Sequence, residues 1–245
     1  MKKIYGTCVV LCVICIFGIW NLSAQEKIDG PSVLKKVDEY REYSKTGFSF
    51  NFSITESDGT ASRMRVYLEN SRRDISLVRY LEPKKYRRRV VLTIGNSFYV
   101  YDHGMASPVR ITPREMLFGQ ASAGDITRIA FSGMYSIEQI TEHSGVYNLI
   151  LKAIPDKGVT YDRIDLRVSA TTGKPLKAEC RGTSGTLLKE ITYNGFSVIE
   201  GKELLSGFTI VDSTNGDSST VVLDGFSTET YPSSNFTVEA MKYVR

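Results

Sequence analysis

Only a few side chains in this sequence have the type and spacing to do chemistry. His103 and His143 stand forty positions apart, and either could serve as a general base or a zinc ligand. No H-E-x-x-H, G-x-S-x-G or glycine-rich phosphate loop accompanies them, and both fall at turns or strand ends. A hydrolase using one of these histidines is the enzymatic reading that remains. The residues favour no catalytic site, no metal and no cofactor. Cys180 sits inside a strand with no histidine near it in sequence, and reads as a small buried apolar residue. Asp162 and Asp165 flank a strand start. They could pair for acid–base work, but solvated strand edges account for them.

The sharpest charged feature is Lys84-Lys85-Tyr86-Arg87-Arg88-Arg89. Basic residues around an aromatic can bind nucleic acid, but an exported chain rarely meets any. Lys84, Lys85, Arg87, Arg88 and Arg89 suit anionic lipid head groups or a partner, at about 1 kcal/mol per basic residue near a membrane surface. A solvated loop that guards a strand edge is the plainer reading.

These residues need positioning elements, and the apolar pattern supplies them. Asp29-Gly30-Pro31-Ser32 carries cap and first-turn chemistry, and Val33, Leu34, Val37, Tyr40 and Tyr43 repeat at helical spacing, predicting a helix over 31–44. From Gly47 the period becomes two. Phe48, Phe50, Phe52 and Ile54 alternate with polar residues, as do Met64, Val66 and Leu68. Further strands are predicted at about 74–81, 88–94, 97–102, 107–112, 135–142, 145–154, 161–169, 175–182, 187–199, 203–213 and 218–228. Two short helices are expected between them: Pro113–Gly119, and 124–130 with Asp125 as a candidate cap. So many consecutive antiparallel strands curl or close. Phe48, Phe50, Phe52, Met64, Val66, Leu68, Val90, Leu92 and Ile94 would then line one concave face. Either a helix fills that face as ordinary core, or it forms a cavity for acyl chains with Met116, Leu117 and Phe118 across its mouth.

The opening residues change the totals. Lys2 and Lys3 precede an uncharged apolar run from Ile4 to Trp20, and Ala24 ends a small-residue site before Gln25. This predicts a signal peptide over 1–24 and a periplasmic mature chain of residues 25–245 forming one domain. An uncleaved N-terminal anchor is the other reading. Removal of Lys2 and Lys3 lowers the formal charge from +4 to +2, and Cys180 is then the one cysteine left of four. An internal disulfide, a cysteine-cluster zinc site and a nucleic-acid field are thereby excluded.

The order of several segments resembles the LolA-like outer-membrane lipoprotein-sorting proteins, in a largely uncharacterised exported branch. They are Pro113-Arg114-Glu115-Met116-Leu117-Phe118-Gly119, Gly124-Asp125-Ile126, Tyr161 to Val168, Thr172 to Glu179, Gly185-Thr186-Leu187-Leu188-Lys189 and Phe236-Thr237. The similarity runs from about 31 to 245. It implies a mainly β fold: an incomplete, half-open antiparallel barrel of about 11 strands, with an N-terminal helix and short central helices over the concave face. It also implies a monomeric periplasmic carrier that binds acyl chains of lipoproteins or free lipid, without cofactor or covalent chemistry. An inner-membrane transporter and an outer-membrane receptor would be its partners. A non-carrier binding or sensor module is the alternative. The family's studied carriers hold their helical lid with an arginine near the second strand. Arg63 and Arg65 lie in that region, but no local motif assigns them the role.

Overall fold

The computed structural model describes residues 28–69, 74–128 and 130–244. The predicted signal segment 1–24, with its cleavage site, lies outside them.

Helix α1 spans Gly30–Glu39. The Asp29 carboxylate accepts hydrogen bonds from the Ser32 N–H and hydroxyl, and Pro31 occupies the first turn, where no N–H is needed. The helix stops before Ser44. Its end tightens, with the Tyr40 N–H donating to the Val37 carbonyl, and the Tyr40 carbonyl accepts from the Leu205 N–H of the sheet at 2.8 Å. Arg41 and Glu42 continue as tight turns, with their N–H groups donating to the Asp38 and Glu39 carbonyls.

The strands form two meanders. The first comprises β1 (Phe48–Glu56), β2 (Ala61–Leu68), β3 (Ile75–Glu82), β4 (Val90–Ile94), β5 (Ser97–Tyr101) and β6 (Val109–Ile111). A small hairpin of β7 (Met116–Phe118) and β8 (Ala121–Ser122) follows, then α2 (Ala123–Thr127). The second meander comprises β9 (Tyr135–His143), β10 (Val146–Ala153), β11 (Arg163–Ser169), β12 (Pro175–Arg181), β13 (Leu187–Ile199), β14 (Lys202–Asp212) and β15 (Ser218–Ser227). Pairing of β1 with β15 joins the meanders into one antiparallel sheet of 13 strands, with β6 and β9 as its ends. The sheet is open, an unclosed barrel.

Period-two alternation sets its concave face. Phe48, Phe50 and Phe52 stand opposite Leu68, Val66 and Met64; Val66 then faces Val78, and Val78 faces Val91. From the second meander come Phe208 opposite Tyr193, Ile210 opposite Ile191, and Cys180 opposite Ile164. These residues form the main core together with Leu34 and Val37 of α1 and Ile126 of α2.

Three expectations need correction. Val90, Leu92 and Ile94 do not share the concave face. Val91 takes that parity, while Val90 and Leu92 point outward into a second cluster with Phe236 and Met241 of the C-terminal segment. Pro113–Gly119 is not a helix: Met116 pairs with Ser122 and Phe118 with Ala121 across a tight turn. Gly119 sits there at φ +51°, where an added Cβ would lie 2.7 Å from the Ser219 hydroxyl. The cap of α2 is Ser122 rather than Asp125. Asp125 is the acid of a capping box, its carboxylate accepting from the Ser122 N–H.

Candidate functional site

From β6 at one end of the sheet to β9 at the other, the described residues 112–128 and 130–134 pack on the concave face as a strap that carries β7, β8 and α2. Polar contacts tie it down. The buried Tyr80 hydroxyl donates to the Leu117 carbonyl at 3.0 Å, and burial pushes this phenol up to about 12. Arg114 donates to the Thr160 carbonyl at 2.7 Å and pairs with Asp162. Gly124 packs so closely on the next layer that an added Cβ would lie 1.7 Å from the Thr160 hydroxyl.

The strongest tie is a buried ion pair. Lys189 belongs to the inward parity of β13 with Ile191 and Tyr193, and stands opposite Cys180. Its ammonium donates to Asp125 Oδ2 at 2.9 Å and to the Gln120 carbonyl at 2.6 Å, with Met116 Sδ at 3.7 Å. The Asp125 carboxylate also accepts from the Tyr161 hydroxyl at 2.8 Å and from the Ser122 hydroxyl at 2.8 Å. Burial, and then the Asp125 charge, push the Tyr161 phenol well above its usual value, so it stays a donor.

Beside this network lies a cavity of about 60 Å³ lined by Phe131, Tyr135, Val159, Ile164, Ile191 and Phe208 among others. Arg41, Asp125 and Arg128 bring charge to the lining. Cys180 lies on the same wall, and burial raises its thiol pKa well above normal, which removes nucleophilic character. A second hollow, of about 590 Å³, is an open groove between α1 and β9 lined by Ile28, Pro31, Leu34, Ile137 and Ile140. Residues 131–135 form the wall between them: Phe131 and Tyr135 face the cavity, while Ser132, Gly133 and Tyr135 face the groove. Asp38 of α1 holds this wall, accepting from the Phe131 and Ser132 N–H groups at 2.7 and 2.9 Å. Burial raises the Asp38 pKa, although those two bonds oppose the shift.

A family model described as that of an uncharacterised protein matches residues 72–243. A LolA superfamily protein from Nitrosomonas europaea is similar at 28% identity with a TM-score of 0.75, over 85% of this chain and 97% of that one. The chain belongs to a LolA-like family of uncharacterised proteins. Two structures at lower identity share the LolA-like fold. A DUF1329 family protein from Desulfovibrio piger has 16% identity and a TM-score of 0.69 over 86% of this chain and 97% of that one. An outer membrane lipoprotein-sorting protein domain from Vibrio parahaemolyticus has 15% identity and a TM-score of 0.68 over 87% and 98%. No curated protein matches the sequence.

In this LolA-like chain Phe48, Phe50, Phe52, Met64, Val66 and Leu68 lie together in the main core. Phe50 and Phe52 also line a narrow gap with Arg41, Asp125 and Phe208, three residues that line the cavity as well. On the strap, Leu117 is buried and Phe118 packs on the core, while Met116 is 44% exposed. The basic run divides. Arg89 is half-buried, paired with Asp102 at 2.9 Å and stacked on Tyr86 at 4.4 Å. Lys84, Lys85, Arg87 and Arg88 are exposed, with Arg88 against His103 at 2.9 Å. His143 is exposed on β9, and Asp165 is held between Arg163 and Arg181. Arg63 and Arg65 bond Asp224, Ser49, Asn51 and the Gly225 carbonyl, and among the described residues their hydrogen bonds do not reach the strap. Among the described residues no group of three or more His, Cys, Asp or Glu side chains is placed to hold a metal ion, and no helix is long and apolar enough to cross a membrane.

Proposed function

We propose that this LolA-like chain is an exported periplasmic carrier. It holds an acyl chain of a lipoprotein or free lipid against the concave face and gives it up to a membrane or receptor without any chemical step. The observation that carries the reading is the pair of apolar hollows separated by one thin wall. The cavity alone is far below the roughly 300–1,000 Å³ of ordinary ligand sites. The groove, at about 590 Å³, lies within that range, and displacement of residues 131–135 would extend it into the cavity. Asp38 holds the wall through two backbone bonds, and Gly133 within it has positive φ and open space around it. Displacing it would break the Ile154 N–H bond to the Met134 carbonyl and the first pairing of β9, at the sheet's edge.

The energetics suit reversible loading. Each buried methylene contributes about 0.8 kcal/mol, so a 14-carbon chain gains about 10 kcal/mol gross. Ordering the chain and opening the wall reduce that, leaving an affinity that a receptor or bilayer can overcome. Kinship with a LolA superfamily protein and fold likeness to a lipoprotein-sorting domain support the same reading. An inner-membrane transporter and an outer-membrane receptor fit as donor and acceptor. The exposed Lys84, Lys85, Arg87 and Arg88 suit contact with anionic head groups during the exchange.

The test compares the protein with Ile137→Trp, which fills the groove from β9. Native mass spectrometry is expected to find co-purified lipid on the wild type, and delipidated protein is expected to take up a fluorescent fatty acid. Ile137→Trp should weaken uptake about tenfold with the melting temperature unchanged. Absence of both lipid and uptake, or uptake indifferent to the filled groove, overturns the reading.

A further inference from the structure

Arg128, the residue that ends α2, is a cation without adequate partners. It lines the cavity, and its Nε and Nη1 are buried with no hydrogen-bond partner among the described residues. Its third nitrogen donates to the Gly95 carbonyl, and the guanidinium lies over the Phe98 ring at 5.1 Å. Asp74 acts on it through space only, and burial lowers its pKa from the ordinary value. An arginine cannot shed its proton to relieve this, so two donor nitrogens remain unanswered in an apolar setting.

The other charges around the cavity do not answer them. Asp125 is saturated by Lys189, Tyr161 and the Ser122 backbone and hydroxyl. Arg41 is a second cation on the same wall, over the Phe131 ring at 5.8 Å. Asp38, whose charge reaches Arg41, is bonded to the Phe131 and Ser132 N–H groups. The lining is therefore apolar with a net positive charge, and the unmet demand is for oxygen acceptors carrying negative charge.

We propose, resting on the carrier reading above, that the cavity selects single-chain amphiphiles with an anionic oxygen head, a carboxylate or a phosphate, which Arg128 receives on Nε and Nη1. The inference narrows the cargo. An acyl chain linked to a protein through an amide or ester carries no such oxyanion beside its chain, so the preferred ligand is a free lipid acid.

The test measures displacement of an uncharged fluorescent apolar probe from the delipidated mature chain by decanoate, decyl phosphate and methyl decanoate, with inorganic phosphate alone as a fourth arm. Charge-assisted hydrogen bonds to a buried guanidinium predict that the better acid displaces at about 10- to 100-fold lower concentration than the ester. Which acid leads identifies the head group as carboxylate or phosphate. Inorganic phosphate is expected to displace nothing. Arg128→Met should remove the gap between acid and ester, keep the ester's affinity within about twofold, and leave the melting temperature equal or higher, because it removes a poorly satisfied buried charge. Equal affinity for acids and ester in the wild type overturns the inference, and that ratio needs no variant to fold. So does a gap that survives in Arg128→Met. If none of the three amphiphiles binds, the carrier reading itself fails.

Discussion

Replacing Lys189 with methionine leaves the Asp125 carboxylate in place but takes away the cation that answers it. The two side chains are only 7% and 4% exposed, and the ammonium also satisfies the Gln120 carbonyl. Breaking a buried pair by removing one partner costs about 3–5 kcal/mol. Three donors remain on Asp125, namely the Tyr161 hydroxyl and the Ser122 N–H and hydroxyl, which place the expected loss near the lower end, about 3 kcal/mol. For a domain of this size that is a fall of about 6–12 °C in melting temperature. Adding Asp125→Asn removes the stranded charge while its amide oxygen still accepts from Tyr161 or Ser122, so the double variant should recover at least half of the loss. The assay is urea and thermal unfolding of the wild type, both single variants and the double variant, with the urea slope checked for constancy. Hydrogen exchange should show the first loss of protection in residues 116–127. A cost below about 1 kcal/mol for Lys189→Met would refute the reasoning, as would a second substitution whose cost simply adds to the first.

Gly124→Ala should destabilise by about 1–3 kcal/mol, read by thermal melts, because its Cβ would collide with Thr160 and stand 3.3 Å from the Pro113 carbonyl. Cys180 should react with a disulfide reagent at pH 8 at least about 100-fold slower than a free thiol, and faster in Lys189→Met, making the thiol a reporter of strap opening. Burial alone would raise the Asp165 pKa, but hydrogen bonds and charge from Arg163 and Arg181 carry it below its ordinary 3.8. Its stabilisation is therefore complete above that value and is lost as pH falls through the lower folded value. Asp165→Asn should be less stable than the wild type by about 1 kcal/mol at pH 7, and the difference should close below about pH 4 in pH-dependent unfolding.

Strands with a polar side were legible in the sequence. Phe48-Ser49-Phe50-Asn51-Phe52 states both its period and its inward face. Val90-Val91-Leu92-Thr93-Ile94 does not, because both of its sides are covered, one by the main core and one by the C-terminal segment. Alternation cannot choose a face for a strand that is apolar on both. Met116-Leu117-Phe118 was equally mute, since three apolar residues fit a helix or a strand and only the pairing with Ser122 and Ala121 decides. Lys189 did leave a signal that pattern reading passed over: it interrupts the inward series that Ile191 and Tyr193 continue. Arg128 left none, because an arginine after a short helix reads as a solvated end until its neighbours are in place.

The open sheet has a mechanical consequence. A closed barrel can widen only by breaking a ladder of hydrogen bonds, whereas a sheet that stops at β6 on one side and β9 on the other changes curvature with every ladder intact. Residues 112–134 could reach at most about 75 Å if drawn out, at about 3.3 Å per residue. Side-chain bonds from Tyr80, Arg114, Lys189 and Asp38 hold the strap over the hollow, together with the packing of Leu117, Ile126 and Phe131 in the core. Under the proposed carrier function, a guest would set the volume inside, and the molecule would work less as a fixed vessel than as a sprung clasp.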